Sequence, residues 1–379
     1  MASSDLYEHY RQLRETDPVT GNPGGPWRVA RYQDVHDVLR DHETFSSRIS
    51  RRQLEHDMPP SLLFSDPPLH SRLRRLVARA FSPRHISDQR ELVEQRCEEL
   101  VSHMSGQDQP DLIAELAVPL PVTVISHMLG VADGDIGEFK RWSDTIFGNI
   151  GEILLGSPSK EVEQAAAEMD AYFLERIERL RKHAEPHLLS HLVYVETDSG
   201  RLTDEELLSF CRLLLIAGNE TTTGLIVACV RVFDEFPETF TQLKHDQELV
   251  PTFVEETLRY YAPFQLTIRR ATRDVELAGV EIEKGDLVLP LMASANRDDE
   301  VFDRPDEFVI DRDPNPHLAF GYGIHNCLAA TLARMEGQII VASLVKHLDG
   351  ISLAAWDPRS VGELRGPSTL AINIRPAAA

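Results

Sequence analysis

The sequence predicts a mainly α-helical protein with a small β region, contained in one domain of residues 1–379. Apolar residues recur at helical spacing in many segments, whereas strand-like segments are few and short. The chain is longer than the usual single domain, but no Gly/Ser-rich linker, internal repeat or low-complexity tract divides it. We therefore expect one large helical domain.

Helical spacing of apolar residues predicts the helices, and short runs rich in β-branched residues predict the strands. The predicted helices are 7–13, 35–39, 92–104, 112–129, 162–180, 249–258 and the longer segments 210–232 and 329–347. The predicted strands are 27–32, 268–271, 275–277, 287–289 and 370–374. The segment 210–232 is too polar at its centre to be interpreted as a membrane span.

The charge balance argues against one class of function. The chain has 61 acidic and 39 basic residues, a formal net charge of -22, whereas nucleic-acid binding requires a basic surface. The first residues show no basic region followed by an apolar stretch, so we expect no signal peptide, no membrane anchor and a cytoplasmic monomer. Lysine is scarce beside arginine, and such an acidic surface suggests adaptation to concentrated salt, which screens self-repulsion. A genome that favours arginine codons is the alternative explanation.

The four cysteines are too scattered for a disulfide framework, and none forms a Cys-x-x-Cys pair. Three lie in predicted helices and are interpreted as packed thiols: Cys97, Cys211 and Cys229. Cys327 differs because it ends the loop Phe320-Gly-Tyr-Gly-Ile-His-Asn-Cys, directly before a predicted helix. Gly321 and Gly323 allow backbone conformations closed to other residues and a close approach to a flat ligand.

This loop resembles, position by position, the haem-binding loop of the cytochrome P450 family, Phe-Gly-x-Gly-x-His-x-Cys-x-Gly, with Ala329 in place of the last glycine. The resemblance implies the P450 fold, with haem b between an oxygen-groove helix and the helix after the cysteine. It also implies that Cys327 is the thiolate axial ligand of the iron, that Phe320 packs on the haem and that His325 holds a propionate. A thiolate ligand favours cleavage of an O–O bond. A packed free cysteine is the alternative.

The segment Ala217-Gly218-Asn-Glu220-Thr221-Thr is similar to the family's oxygen groove. The resemblance implies that Thr221 holds bound O2, that Glu220 relays protons to it, and that Ala217 and Gly218 border the haem. A glycine followed by hydroxyl side chains is also expected to weaken the helix locally. An ordinary core helix with a polar interruption is the alternative.

Glu256 and Arg259 match the family's Glu-x-x-Arg pair. Residues three apart share a helix face, so the two side chains can form a bidentate ion pair that braces the segment before the cysteine loop. The same spacing also occurs on many solvent-facing helices.

His70 and Arg74 are four apart and therefore share one face of a helix. They match family positions that hold the haem propionates, and Arg269 matches a further one. Buried carboxylates need paired cations. The neighbouring Arg72 and Arg79 are interpreted as a solvated basic face, and a basic patch would also suit an acidic electron donor.

The resemblance implies a monooxygenase that inserts one atom of O2 into a C–H bond of a hydrophobic small organic substrate. It also implies electrons from separate partners, a ferredoxin and ferredoxin reductase or equivalent donors. The expected pocket lining is Leu213, Ile216, Ala217, Phe264, Gln265, Leu266 and Thr267, although the same residues could equally be packed core.

Two alternatives remain, a peroxide-driven oxygenase and a non-catalytic haem or ligand-binding protein. The pair Glu220-Thr221 argues against the peroxide-driven oxygenase. Peroxide already supplies both oxygen atoms, so such an enzyme needs no relay of protons to bound O2. Within the family, the segments 117–121, 217–223, 293–298 and 315–318 are similar to the small archaeal members known from thermophiles. The segment 147–159 resembles the family's mobile lid.

Overall fold

The computed structural model describes residues 3–49, 60–149, 152, 157–198, 200–354 and 368–377. Part of the expected lid 147–159, namely residues 150, 151 and 153–156, lies outside these residues. The described chain forms two compact units, the first within Met1–Phe45, Arg90–Leu120 and Glu220–Ala379 and the second within Ser46–Gln89 and Pro121–Asn219. That the whole chain acts as one haem domain stays a prediction.

Helices account for most of the described structure, as the sequence predicts. In chain order they are α1 Ser3–Thr16, α2 Tyr32–Arg40, α3 Leu69–Ala80, α4 Pro83–Ser87, α5 Arg90–Ser105, α6 Pro119–Met128, α7 Ile136–Gly148, α8 Lys160–Leu180, α9 Leu188–Tyr194, α10 Asp204–Glu235, α11 Pro237–His245, α12 Val250–Tyr260, α13 Met292–Ala295 and α14 Ala330–His347. The strands are β1 Val19–Thr20, β2 Pro26–Val29, β3 Phe45–Ser46, β4 Arg269–Ala271, β5 Val275–Leu277, β6 Val280–Ile282, β7 Leu287–Pro290, β8 Leu348–Leu353 and β9 Ile372–Pro376.

The main sheet has the strand order β1-β2-β7-β4-β3, and β5-β6 and β8-β9 form two smaller antiparallel sheets. Strand β2 runs parallel to β7, with Trp27 opposite Val288, whereas β4 runs antiparallel to β7. Val35 and Val38 of α2 are fully buried in one cluster with Val29 and Val288 of the sheet. Helix α2 is therefore held on the sheet by apolar burial on one stripe.

The predicted strand 27–32 is too long, because β2 ends at Val29 and α2 begins at Tyr32. The Tyr32 amide donates to the carboxylate of Asp298 at 2.7 Å, which satisfies an amide left without a partner at the start of the helix. The acceptor is distant in sequence, so no local pattern indicates where the strand stops.

The predicted helix 112–129 is wrong in its first third, where a π-helical turn, Ile113–Ala117, precedes α6. Pro119 has no amide hydrogen to donate and so favours the start of a helix. The Val118 amide donates to the carbonyl of Ile113 at 3.1 Å, and the Thr223 hydroxyl donates to the carbonyl of Ala117 at 2.8 Å. A proline and a distant hydroxyl thus divide one apolar pattern into two elements.

In the second unit, α7 and α8 pack through aromatic side chains. The rings of Phe139 and Phe173 meet edge to face with centres 6.3 Å apart, and Trp142 Nε1 donates to Glu168 at 3.1 Å. Neither α7 nor α9 is predicted by the sequence, because the apolar residues of α7 are interrupted by charged ones and α9 is only seven residues long.

Among the described helices, α10 is long and apolar enough by length and composition to cross a membrane. About two thirds of its most apolar window, 65%, is buried inside the protein. Buried core helices pass the same test, so this is weak evidence for a membrane span.

Candidate functional site

The loop that carries Cys327 depends on two glycines. Gly321 (φ +69°) and Gly323 (φ +71°) lie in the left-handed region, which residues with a Cβ adopt only with strain. At Gly323 a Cβ would also lie 2.7 Å from the carbonyl oxygen of Leu39, so glycine lets the loop approach α2. The Cys327 amide donates to the Phe320 carbonyl at 2.8 Å. This hydrogen bond closes the loop and fixes the cysteine just before α14.

Cys327 is partly exposed, whereas the other three cysteines are buried. Burial raises the pKa of Cys97 to about 12, that of Cys229 to about 12 and that of Cys211 as well. Those thiols therefore stay protonated near neutral pH and behave as small apolar side chains. Cys327 is the cysteine that a ligand can reach.

The structure brings Glu256 and Arg259 together as a fully buried pair. Arg259 Nε and Nη2 donate to the two carboxylate oxygens of Glu256 at 2.8 Å each. Its remaining hydrogens reach the backbone carbonyls of Asn296 at 2.9 Å, Pro305 at 2.8 Å and Glu307 at 3.0 Å. One guanidinium thus satisfies three carbonyls that are far from it in sequence.

The Glu256 carboxylate has further donors, all in the segment that leads to the cysteine loop. It accepts from the Val309 amide at 2.9 Å, from Arg312 Nε at 3.0 Å and from Asn315 Nδ2 at 3.1 Å. Sequence analysis missed Arg312 and Asn315, because both lie in an irregular segment without a periodic pattern. The pair and its partners organise this segment around α12.

Glu255, the residue beside Glu256, contacts the surroundings of the loop itself. Its carboxylate accepts from Arg334 Nε at 2.7 Å and Nη2 at 2.8 Å, and lies 3.2 Å from His317 Nε2. Burial by itself raises the pKa of Glu255, but the hydrogen bonds from His317 and Arg334 outweigh it and hold the pKa at about 2. The Arg334 guanidinium carbon lies 4.4 Å from the centre of the Phe320 ring. Sequence analysis missed the contacts of Glu255 with His317 and Arg334.

Helix α10 runs without interruption from Asp204 to Glu235, so the expected local weakening does not break it. A Cβ at Gly218 would lie 2.7 Å from Ile125 Cδ1, which explains glycine there by close packing within the second unit. Ala217 is exposed although most of the helix is buried, and Glu220 and Thr221 are half-buried.

Next to Thr221 on α10, Thr222 contacts a buried acid, Glu336, that sequence analysis missed. Thr222 Oγ1 donates to Glu336 Oε2 at 3.4 Å. Burial raises the pKa of Glu336 to about 8, and the bond to Thr222 opposes this only weakly. At neutral pH this carboxyl is therefore largely protonated and uncharged.

Arg269 and His325 belong to the same unit as Cys327. Arg269 is only 6% exposed, and its Nη1 donates to the Ile268 carbonyl at 2.9 Å and to Thr267 Oγ1 at 3.3 Å. His325 ends a short 3₁₀ turn in the cysteine loop and is partly exposed.

In the second unit, His70 is buried and Arg74 is half-buried on α3. The interpretation of Arg72 as a solvated cation is wrong. Arg72 pairs with Glu206, whose side chain is only 4% exposed. Arg79 is exposed, but its Nη1 donates to the Glu196 carbonyl at 2.7 Å. An ion pair with a buried acid holds Arg72 in place, because leaving that acid unpaired would be costly.

The expected pocket residues fall into different environments. Gln265 is buried and its Oε1 accepts from the Tyr10 hydroxyl at 3.1 Å, and Leu266 belongs to the apolar cluster around Tyr10. Phe264 is 37% exposed, and Leu213 is half-buried. The Ile216 side chain lies outside the described residues. Gln265 and Leu266 thus take part in the packing around Tyr10.

A mainly helical fold with an accessible cysteine on a glycine-dependent loop, directly before a long helix, defines the class of haem-thiolate proteins. The family model for cytochrome P450 matches residues 27–352. The chain belongs to the cytochrome P450 family.

The relatives include the mycinamicin IV hydroxylase/epoxidase of Micromonospora griseorubida, which is 39% identical over 97% of this chain and 95% of its own length. Cytochrome P450 119 of Sulfolobus acidocaldarius is 34% identical over 98% of this chain and 99% of its own length. The similarity to archaeal members is thus confirmed, although the bacterial relative has the higher sequence identity. The chain is a cytochrome P450 monooxygenase.

Solved structures agree with this conclusion. Cytochrome P450 CYP109Q5 from Chondromyces apiculatus has a TM-score of 0.90 and 38% identity, covering 99% of this chain and 96% of that chain. CYP109E1 from Bacillus megaterium in complex with testosterone has a TM-score of 0.86 and 36% identity, covering 97% and 98%. The P450 fold predicted from the sequence is confirmed.

Haem with a cysteine thiolate ligand is the cofactor of this family, and the donor set of this chain fits it. In a haem-thiolate protein the iron takes one cysteine thiolate from the chain, and Cys327 is the accessible cysteine. Among the described residues, no group of three or more His, Cys, Asp or Glu is arranged to hold a separate metal ion. Arg269 provides a buried cation in the same unit, of the kind that a haem carboxylate requires.

Proposed function

We propose that this monooxygenase inserts one oxygen atom of O2 into a C–H bond of a hydrophobic small organic substrate, with Cys327 as the axial ligand of haem b. The observation that carries the proposal is the accessible thiol of Cys327 on a loop fixed by Gly321, Gly323 and a hydrogen bond to Phe320. Haem, when bound, supplies the activation of O2.

The other residues of the proposed site bind and orient the haem. Arg269 and His325 in the first unit hold the propionates, and Phe320 packs on the macrocycle. His70 and Arg74 in the second unit have the same role toward the propionates, and this assignment rests on family resemblance. Ala217 and Gly218 border the haem, as the family motif implies.

The substrate is an apolar molecule. Support comes from a relative with 36% identity that is solved in complex with testosterone, and from the apolar character of most of the expected lining. Titration of the ferric protein with steroids, terpenes, fatty acids and aromatic compounds tests the proposal. A shift of the Soret band from the low-spin to the high-spin position identifies a substrate class. Failure of every apolar compound to shift the band, with polar ones succeeding, contradicts the proposed class.

Electrons come from a ferredoxin and ferredoxin reductase, and the enzyme works in the cytoplasm as a monomer. Family membership supports separate donors, since bacterial relatives use them. Turnover with ferredoxin and reductase is compared with turnover supported by hydrogen peroxide. Product formation with peroxide alone would favour the peroxide-driven alternative.

In this proposal the Thr221 hydroxyl would position O2 in the oxygen groove when haem is present, and Glu220 with Thr221 would relay protons toward it. Proton transfer by a positioned side chain contributes about 10²–10⁴-fold to a rate, so Thr221→Ala is expected to lower product formed per electron pair by at least about tenfold and to raise hydrogen peroxide release. The measurement is product, peroxide and oxygen consumption in one assay. Thr252→Ala is the matched control, because within the part of the chain that the structure describes the Thr252 hydroxyl donates to the nearby Leu249 carbonyl at 3.0 Å. Equal coupling in the two variants would remove Thr221 from the role.

We also propose that the acidic surface is adapted to concentrated salt. In the hairpin of β5 and β6, Glu276 and Glu281 are direct cross-strand neighbours and both are exposed. Like charges directly opposite each other destabilise a hairpin. Exposed ion pairs such as Glu8–Arg11 contribute little to stability, because solvent screens them. Repulsion among a net charge of -22 is therefore expected to dominate at low salt.

The melting temperature is consequently expected to rise between low and molar potassium chloride at fixed pH. Glu281→Gln removes one cross-strand repulsion, so this variant should gain less from salt than the unchanged protein. Circular dichroism melts of both proteins test this. A melting temperature that is constant or falls with salt would leave the arginine-favouring genome as the explanation.

A further inference from the structure

Glu255 links two positions on opposite sides of the cysteine loop. His317 lies before the loop and Arg334 lies in α14, after it. The Glu255 carboxylate accepts two parallel hydrogen bonds from Arg334, at 2.7 and 2.8 Å, and lies 3.2 Å from His317 Nε2. One side chain of α12 therefore joins the entry and the exit of the loop.

The tautomer of His317 follows from its other nitrogen. The Ala319 amide donates to His317 Nδ1 at 3.3 Å, so this nitrogen carries a lone pair and Nε2 carries the hydrogen. Nε2 therefore donates to Glu255. The ring is almost fully buried, with 2% of the side chain exposed. The backbone amide and the carboxylate together fix the orientation of this ring.

Arg334 connects Glu255 to the cysteine loop. Its guanidinium lies 4.4 Å from the centre of the Phe320 ring, within the range of a cation–π contact. Its side chain is 37% exposed, so without Glu255 it could turn to solvent and keep its charge hydrated. The Phe320 carbonyl in turn accepts from the Cys327 amide at 2.8 Å. A continuous series of contacts thus runs from Glu255 through Arg334 and Phe320 to the cysteine.

We propose that Glu255 is a positioning residue for Cys327, which it holds through Arg334 and His317. The inference rests on the proposed role of Cys327 as the iron ligand. Glu255 differs from the neighbouring Glu256, whose partners lie in the segment before the loop. The negative charge of Glu255 is essential to this role, because the bidentate pair with Arg334 requires a carboxylate.

Glu255→Gln preserves shape and removes the charge. Loss of a residue that orients a metal ligand typically costs 10–100-fold in metal affinity, so haem transfer from the variant to apomyoglobin is expected to be about tenfold faster. The thiolate-type band in the carbon monoxide difference spectrum of the reduced protein should also weaken. Glu255→Asp, which keeps the charge, should recover part of that band. The variant Glu255→Gln/Arg334→Gln should be no worse than the more severe single one, because both side chains act as a unit.

Glu98→Gln is the matched control. Glu98 of α5 contacts Lys346 at 2.8 Å and His347 at 2.6 Å, at the opposite end of the same helix α14. This variant removes a carboxylate with one cationic and one histidine partner, as Glu255→Gln does, but away from the loop. Its carbon monoxide spectrum and haem transfer rate should match those of the unchanged protein.

The outcomes separate the two proposals. An unchanged protein that lacks the thiolate-type band overturns the proposed ligand and this inference with it. A normal band in the unchanged protein, with Glu255→Gln indistinguishable from Glu98→Gln in both band and haem transfer, overturns the inference alone. If Glu255→Gln does not fold, Arg334→Gln carries the same test, because Arg334 is partly exposed.

Discussion

Arg259→Ala is expected to prevent stable folding of the first unit. Removing one partner of a buried ion pair costs about 3–5 kcal/mol. The change also leaves the buried carbonyl of Asn296 and the partly buried carbonyls of Pro305 and Glu307 without the donor that now reaches them. An unsatisfied buried polar group costs about 1–3 kcal/mol, while native proteins are stable by only about 5–15 kcal/mol. Little soluble, haem-containing protein should be obtained.

The measurement is the free energy of unfolding in urea, with soluble yield as the first indicator. Arg259→Lys is expected to fail nearly as badly, because one ammonium group cannot reproduce the planar fork that serves Glu256 and the carbonyls. Arg304→Ala is the control, since Arg304 makes exposed ion pairs with Asp303 and Glu307, and this variant should leave the free energy of unfolding nearly unchanged. Similar unfolding free energies for Arg259→Ala and Arg304→Ala would contradict the central position given to this pair.

Cys327→Ser is expected to abolish monooxygenase activity without unfolding the protein. The hydrogen bond that closes the loop comes from the backbone amide of Cys327, so it does not depend on the side chain. A serine hydroxyl does not ionise near neutral pH and cannot supply the electron donation of a thiolate. The carbon monoxide difference spectrum of the reduced protein should lose its thiolate-type band, and the melting temperature of the haem-free protein should stay within a few degrees.

Cys229→Ala provides the comparison for this prediction. Cys229 is buried on α10 with its pKa raised to about 12 by burial, so its loss should cost roughly 1 kcal/mol of packing and leave the thiolate-type band intact. If the band survived in Cys327→Ser and disappeared in Cys229→Ala, Cys229 and not Cys327 would be the iron ligand.

Much of the fold is readable from sequence where a helix carries a long apolar stripe. The predicted ends of the helix 329–347 lie within one residue of α14, and 162–180 lies within two residues of α8. Prediction fails where a distant group decides the local structure, as at Tyr32 and at Pro119. Helix α9 is also missed, because its first turn is capped by the ring of His187, which accepts from the Ser190 amide, rather than by a common capping residue.

The site shows the same division. Cys327 and the pair Glu256 and Arg259 are found because each lies in a motif of fixed spacing. Arg312 and His317 lie in irregular backbone, and the protonated Glu336 differs from a surface glutamate only in its burial. Tertiary structure alone reveals the roles of such residues. The same holds for Arg72, which a sequence pattern cannot distinguish from a solvated arginine.

The adjacency of Glu255 and Glu256 makes α12 intolerant of insertions and deletions. The two carboxylates face different partners from consecutive positions, and a shift of one residue turns a side chain by about 100° around the helix axis. A single inserted residue before Glu255 would therefore misdirect both carboxylates at once, although every amino acid would still be present. Chimaeric enzymes built from this chain should take α12 and α14 from the same parent, since a crossover between them separates Glu255 from Arg334.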